Sequence, residues 1–330
     1  MEFKVLVDTY KLQLKGKNMW TFFYAIMKIL PSRFLQRTFW FLLRKSHISN
    51  VLCDEGFLKL QLLGVTGEVF NFTGGGGNNT LIQWSPINFK KPLQTLCCDK
   101  YSVRDFVKER IGAHYCIPLL PTENSYWTDP ETLDFTQLPN EFVLKSNSGS
   151  GMNLIVKDKS KLDIEQTKAL LKQWMNVDYA CLGREWQYKD VPRKIICEQF
   201  ITTATGEPPE DYKIMCSNGT PLYIWVDTGR FTNHRRNLFS CEWEAINAQI
   251  AYPPQTTSQH PKPKNLSKML ELAALLSKGF PIVRVDFYNI DGKIYFGELT
   301  FTSDSGLGIT KPFSFSQEMA RRAPLNTFEI

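Results

Sequence analysis

The chain has 330 residues, 13% of them aromatic, with 39 Lys and Arg against 33 Asp and Glu for a net charge of +6. That length can bury a substantial core in two or three lobes, and the modest basic excess favours anionic ligands or a membrane surface without requiring nucleic acid. No aromatic-basic RNA motif or zinc-finger spacing occurs, and the four histidines are scattered. The eight cysteines (Cys53, Cys97, Cys98, Cys116, Cys181, Cys197, Cys216 and Cys241) form no CxxC and read as reduced core thiols of a cytosolic protein. Met1 to Tyr10 carries Glu2, Lys4 and Asp8 and does not read as a secretory signal.

Trp20 to Leu30 and Phe34 to Leu43 are two apolar helical candidates split by Pro31, with Lys28, Arg33, Arg37, Arg44 and Lys45 interleaved. Each is too short to span a bilayer. Aromatics and cations on short helices suit peripheral membrane contact through residues 20–45; packing on the main body with solvated cations is the alternative. Residues 46–88 read as strands and turns, for instance Phe57-Leu58-Lys59-Leu60-Gln61-Leu62-Leu63. The run Gly74-Gly75-Gly76-Gly77-Asn78-Asn79 lacks GxxxxGK[ST] and a following helix, so it reads as a flexible turn.

From Asp99 an amphipathic helix is expected, capped by Asp99, with Val103, Phe106, Val107 and Ile111 as its stripe and Gly112 as its end. A short strand to Leu120 follows. Glu141 to Asn147 reads as a strand, Ser148-Gly149-Ser150-Gly151 as a tight loop, and Met152 to Val156 as the return strand. A strand lysine, Lys145, ahead of a glycine-serine loop can grip phosphates, with loop N–H groups closing over the oxygens; a plain hairpin is the alternative. Residues 161–176 form a helix, and Leu182 to Trp186 a turn-rich segment. Ile195 to Ile201 is a buried strand whose Glu198 needs partners. Asp211 to Cys216 and Leu222 to Asp227 pair through Asn218-Gly219.

Arg230-Phe231-Thr232-Asn233-His234-Arg235-Arg236-Asn237 is rich in donors, suited to a carboxylate or phosphate, or else a solvated basic loop. After a helix over 265–278, Val283-Arg284-Val285-Asp286-Phe287-Tyr288 and Glu298-Leu299-Thr300 flank a turn at Asn289-Ile290-Asp291-Gly292. With a three-residue loop of Ile290, Asp291 and Gly292, Asn289 faces Lys293, Asp286 faces Phe296 and Arg284 faces Glu298. Arg284, Asp286, Glu298 and Thr300 then share one face, with the two carboxylates about 7–8 Å apart on the diagonal, suited to one or two hard cations. A solvated polar face is the alternative.

In this order, Asp99 to Arg104, Phe142 to Lys145, Leu182 to Trp186, Asp211 to Lys213, Arg230 to His234 and Gly279 to Thr300 resemble the ATP-grasp superfamily, and within it the TupA-like branch of bacterial surface-polysaccharide gene clusters. The resemblance runs from about Lys90 to Leu307. It implies an α+β fold of two lobes with ATP between them. The segments are then an N-terminal region (1–88), a helix-strand segment (89–140), a nucleotide-binding lobe (141–201) and a metal and substrate lobe (202–330). By resemblance Lys145, Lys213 and Lys100 contact ATP phosphates, Ser148 to Gly151 form the loop over them, and Glu198, Gln199 and Phe200 hold adenine. Asp286 and Glu298 carry magnesium, and Arg284 steadies the transferring phosphoryl group. The related D-alanine–D-alanine ligases place asparagine where this chain has Thr300, a poorer ligand for a second magnesium.

The implied activity is an ATP- and Mg²⁺-dependent carboxylate ligase working through an acyl phosphate. Its acceptor is an acidic sugar of a capsular or teichuronic-type polysaccharide, or a lipid-linked precursor, near Arg230, Asn233, His234, Arg235 and Arg236. The expected place is the cytoplasm, peripheral at the inner face of the membrane. A polysaccharide glycosyltransferase is a rival, although Asp227-Thr228-Gly229 is not a DxD; a non-catalytic assembly protein and a phosphotransferase are others.

Overall fold

Two antiparallel sheets organise the chain in a computed structural model that describes residues 19–70, 76–121, 125–203, 206, 209–229, 233–255 and 260–323. The first sheet has four strands, β1 (Tyr126–Trp127), β2 (Phe142–Ser146), β3 (Asn153–Val156) and β4 (Ile195–Gln199), in the order β1-β4-β2-β3. The second contains β5 (Asp211–Ser217), β6 (Thr220–Thr228), β7 (Arg235–Phe239) and β8 (Ala245–Ile246). Beyond the two-residue β9 (Gln249–Ile250), it is completed by β10 (Val283–Ile290) and β11 (Lys293–Thr300), in the order β11-β10-β5-β6-β7-β8. A short β12 (Thr310–Lys311) pairs with β9.

The second sheet is covered on both sides, which is why β5 is buried at every position. On one face the Leu266–Ser277 and Val103–Arg110 helices pack onto Ile214, Val226, Val283, Val285 and Phe287. On the other, Leu81, Ile82, Phe315 and Met319 cover Met215, Tyr223, Trp225 and Leu238. The first sheet has its own core, with Phe142, Leu144, Ile195 and Cys197 against Leu171 of the Ile164–Met175 helix.

The two expected N-terminal helices form, at Met19–Ile29 and Arg33–Lys45. Residues 46–88 differ from the expected strands: they contain α-helices at Asp54–Thr66 and Asn78–Asn88. The Phe57 to Leu63 run is apolar enough to be buried almost all round, and a short buried run does not distinguish strand from helix by period. The helix signals lie at its ends. Asp54 and Glu55 occupy the first turn, and Gly67 closes the last at φ 84°. Gly56 and Gly64 on this helix let Trp20 and Trp40 sit against its backbone; an added Cβ would lie 2.4 Å from each tryptophan Cβ.

A helix also follows the glycine run, contrary to expectation, with Gly77 at its N-cap. Residues 71–75 lie outside the described ones. The Asn78–Asn88 helix belongs with the C-terminal half, since Asn78 N–H donates to Ser316 Oγ (2.8 Å) and Asn79 Nδ2 to Gly308 O (2.9 Å). Asp99 does not cap the next helix, which begins at Val103. Its carboxylate accepts instead from Tyr101 N–H (2.8 Å), Ser102 Oγ (2.7 Å) and Asn147 Nδ2 (2.8 Å), tying this turn to the end of β2. The strand expected before Leu120 is reduced to isolated bridges from Cys116 to Phe296 and Leu119 to Glu198. The cysteines are free as expected, but Cys181 is exposed and Cys53, Cys116 and Cys241 are half-buried.

Candidate active site

The β10–β11 hairpin closes in two residues, Asp291 (φ 50°) and Gly292 (φ 88°), so Ile290 faces Lys293 and the expected three-residue loop is corrected. Phe296 then faces Phe287 in the core, not Asp286. A β-bulge restores the polar face by inserting one residue, Gly297, after Phe296. Its Cα lies so close to β10 that a Cβ would meet Asp286 O at 3.1 Å. Beyond the bulge Asp286 faces Glu298 directly, and Arg284 faces Thr300. The carboxylates are opposite neighbours, and the expected diagonal is also corrected.

Arg284 binds this group together. Its Nε and Nη2 grip Asp286 at 2.6 and 2.7 Å, Nη2 also reaches Glu298 Oε1 (2.9 Å) and Thr300 Oγ1 (3.0 Å), and Nη1 donates to Ser303 Oγ (3.3 Å). The Thr300 hydroxyl in turn donates to Glu298 Oε1 (2.9 Å), so it positions that carboxylate. From β5, Lys213 Nζ bridges Asp211 (2.5 Å) and Asp286 (2.7 Å). Asp211 lies two positions before Lys213, on the same strand face.

The charges are strongly interdependent. Burial opposes ionisation of Glu298, but Lys100, then Arg284 and Lys213, outweigh it and hold its carboxyl down to about 2. Asp286 is pushed the other way, its desolvation outweighing the pull of Arg284 and Lys213. Burial lowers Lys100 against the opposing pull of Glu298. This is a compact group of cations and anions in low-dielectric surroundings, where a further charge is strongly felt.

Two adjoining cavities open between the sheets. The first, about 510 Å³, has apolar walls from Ile117, Val143, Ile155, Phe200 and Ile201, with Lys145, Lys157 and Glu198 among its polar groups. The second, about 360 Å³, contains Lys100, Lys145, Ser150, Lys213, Asp286 and Glu298. Lys145, Asn153, Asp211 and Tyr288 line both. Lys145 Nζ is 2.5 Å from Glu198 Oε2, which supplies the partner that the buried glutamate needs. Gln199 spends its N–H on Pro118 O (2.9 Å), leaving Phe200 and Ile201 as the backbone edge beside the apolar walls.

Ser148 is not part of a free loop. It is fully buried, with its hydroxyl 3.4 Å from Arg193 Nη1 and its carbonyl accepting from Ser146 Oγ at 3.2 Å. Gly149 accepts a hydrogen bond from Lys100 Nζ and has Tyr179 where its Cβ would be. Ser150 and Gly151 are the loop residues that face the second cavity.

The basic segment divides. Arg230 lies outside the described residues, and Asn233 is exposed. Arg236 is buried, gripping Asp227 through Nε (2.7 Å) and Nη2 (3.1 Å) and Asp304 through Nη1 (2.9 Å), so it is not free to take a substrate anion as expected. Burial acts to raise Asp227, and Arg236 overrides it to hold that carboxyl below the usual range. Arg235 points away from Arg236 by strand alternation. His234 lines the second cavity, stacked on Tyr252 at 3.6 Å between ring centroids, with Nε2 3.4 Å from Asp227 Oδ1. Lys157, Tyr252, Tyr288 and Asp304 were not expected here. They come from separate segments, and no local pattern marks them.

Among the described residues, no three His, Cys, Asp or Glu side chains form a self-sufficient metal site. Magnesium ordinarily takes one or two protein carboxylates and completes its shell with water and phosphate oxygens. The all-oxygen pair Asp286 and Glu298 fits that habit, with a third of the Glu298 side chain exposed on the cavity it lines. The apolar-walled first cavity and the lysines beside it likewise fit a base and its phosphates.

Two α+β lobes with a basic cleft between their sheets, ending in paired carboxylates on a hairpin, define an ATP-grasp architecture. The chain matches the family described as TupA-like ATPgrasp over residues 80–320 and belongs to it. No curated protein matches. Solved structures similar to this chain include an ADP complex of purK, N5-carboxyaminoimidazole ribonucleotide synthetase, at 11% identity and TM-score 0.40, covering 66% of this chain and 49% of that one. The D-alanine–D-alanine ligase of Bacillus anthracis is 17% identical with TM-score 0.40, covering 76% and 71%. The ATP-grasp ligase PsnB, complexed with a precursor variant, Mg and ADP, is 11% identical with TM-score 0.37, covering 67% and 57%. The chain thus spans about half the length of the purK structure.

Proposed function

We propose that the protein is an ATP- and magnesium-dependent ligase that activates a carboxylate as an acyl phosphate and passes the acyl group to a nucleophile. The observation that carries this reading is the direct pairing of Asp286 with Glu298, bridged by Arg284 and facing a cleft that continues to Lys145. Val143, Ile155 and Phe200 receive the adenine ring, with Glu198 and the Phe200 backbone at its polar edge. Lys145, Lys213 and Lys100 neutralise phosphate oxygens, and Ser150 and Gly151 close over them. Magnesium held by Asp286 and Glu298 would supply the bridging positive charge.

In the first step an acceptor carboxylate oxygen attacks the γ-phosphorus, the bond to the β,γ-bridging oxygen breaks, and ADP leaves. Arg284 offsets the charge on the transferring group. In the second step the nucleophile attacks the acyl carbon, and phosphate departs with the oxygen from the carboxylate. The acceptor is an acidic sugar of a surface polysaccharide or its precursor, held on the Asn233, His234 and Arg235 side. The net charge of +6 supports an anionic acceptor, and the sequence resemblance to the branch of surface-polysaccharide gene clusters points to an acidic sugar.

The test is to incubate the protein with Mg-ATP, a panel of uronates carrying labelled carboxylate oxygens, and candidate amines. ADP release with label in the phosphate is expected. Unlabelled phosphate across the panel refutes the ligase; sugar-nucleotide turnover without ATP would instead support a glycosyltransferase.

A further inference from the structure

The N-terminal helix pair has two apolar faces, and the described residues cover one. On Arg33–Lys45, Trp40 and Leu43 are buried, with Phe39 packed beside them, in a cluster with Phe23, Met27, Phe57, Leu60 and Leu63. Phe34, Leu35, Phe41 and Leu42 form a second stripe at i, i+1, i+7 and i+8, and are 77%, 40%, 54% and 63% exposed. The preceding helix adds Phe22 (45% exposed) and Ile29 (79%).

The charge along this stretch of the chain has one sign, the nearest acids being Asp54 and Glu55 at the start of the next helix, ion-paired to Lys90 and Arg184 and to Lys59. From residue 19 to residue 53 the chain has five Lys and Arg and no Asp or Glu. Lys28, Arg37, Arg44 and Lys45 are exposed, and Lys45 Nζ sits 4.5 Å from the Phe41 ring centroid, its stem along the apolar stripe. Arg33 instead donates to Leu63 O (2.8 Å), and Arg44 to Leu182 O (3.2 Å), fastening the pair to the rest of the protein. No helix among the described residues is long and apolar enough to cross a membrane.

We propose that this face docks the protein on an anionic lipid surface, with Phe34, Leu35, Phe41 and Leu42 entering the acyl boundary. Lys28, Arg37 and Lys45 meet the headgroups. A protein partner buried by the same apolar stripe would need its own acids against an unbroken basic set, whereas an anionic bilayer supplies both phases at once. The inference does not depend on the ligase reading, since its readout is binding alone.

The full chain is sedimented with vesicles of phosphatidylcholine alone and of phosphatidylcholine mixed with phosphatidylglycerol. Wild-type protein is expected to pellet with the mixed vesicles and much less with phosphatidylcholine, and to be released by salt. The exposed double variant Phe34→Ser/Phe41→Ser is expected to bind about tenfold or more weakly. The variant Lys28→Gln/Arg37→Gln/Lys45→Gln, which leaves the apolar stripe intact, is expected to lose about fivefold per cation on anionic vesicles only. Wild-type protein remaining in the supernatant with mixed vesicles overturns the proposal, as do both variants pelleting like wild type. So does a concentration-dependent dimer abolished by Phe34→Ser/Phe41→Ser without vesicle binding, which would make a second copy the occupant.

Discussion

Replacing Glu298 by glutamine removes one negative charge and little else. Glutamine Oε1 can still accept from Arg284 Nη2 and Thr300 Oγ1, both now at 2.9 Å. The wild-type carboxyl is held down to about 2 from an ordinary 4.5, its cations outweighing burial. A shift of that size corresponds to at most about 3 kcal/mol of folding stability. Since 34% of the side chain is exposed, solvent screening leaves roughly 1–2 kcal/mol. A folded-state acidity below the unfolded one stabilises above the ordinary value and is lost as pH falls toward 2. Glu298→Gln is therefore expected to melt a few degrees lower at neutral pH and to match wild type more closely in acid. Its effect on turnover is far larger. Under the proposed assignment of Glu298 to magnesium, its loss is expected to cut Mg-dependent ADP formation by about a hundredfold or more. The assay is ADP release over a magnesium titration, beside thermal unfolding at several pH values. ADP formation within about threefold of wild type would refute the assignment of Glu298 to the metal.

Three further perturbations separate site from scaffold. Lys145→Met is expected to raise KM for ATP about 10–100-fold, and with Glu198→Gln to be non-additive by about 1–3 kcal/mol, because the two side chains meet at 2.5 Å; a double-mutant cycle on nucleotide affinity measures this. Gly297→Val pushes a Cβ toward Asp286 O, 3.1 Å away, and is expected to destabilise by about 1–3 kcal/mol and to reduce turnover by moving Asp286, read by denaturant unfolding and ADP release. Arg236→Gln leaves Asp227 buried without its main partner and is expected to cost about 3–5 kcal/mol, whereas Arg235→Gln stays within about 0.5 kcal/mol and acts on acceptor KM; urea unfolding distinguishes them.

The polar face of the hairpin was legible from sequence through the parity of its residues, although its register was not. A face depends on whether pairing shifts by an even or an odd number of residues. The expected loop put Arg284 opposite Glu298, while the real turn and bulge put it opposite Thr300, a shift of two. Arg284, Asp286, Glu298 and Thr300 therefore share a face either way, whereas Phe296, before the bulge, changes sides. Gly297 was the available signal, since a glycine inside a strand often marks a bulge or a close backbone approach. Arg236 offered no comparable signal. Its anions come from Asp227 on a neighbouring strand and Asp304 in a distant turn, so whether it binds substrate or structure is decided by tertiary pairing. The same reasoning separates the other cations of the site. Lys213 is committed to Asp211 and Asp286 yet lines the second cavity, so phosphate oxygens would compete with carboxylates for it. Arg236 sits under Trp225 and Tyr252, itself buried and held by buried Asp227 and by Asp304, and does not line the second cavity. Within one basic run, then, Arg236 is a structural arginine committed to Asp227 and Asp304, whereas His234 lines the cleft.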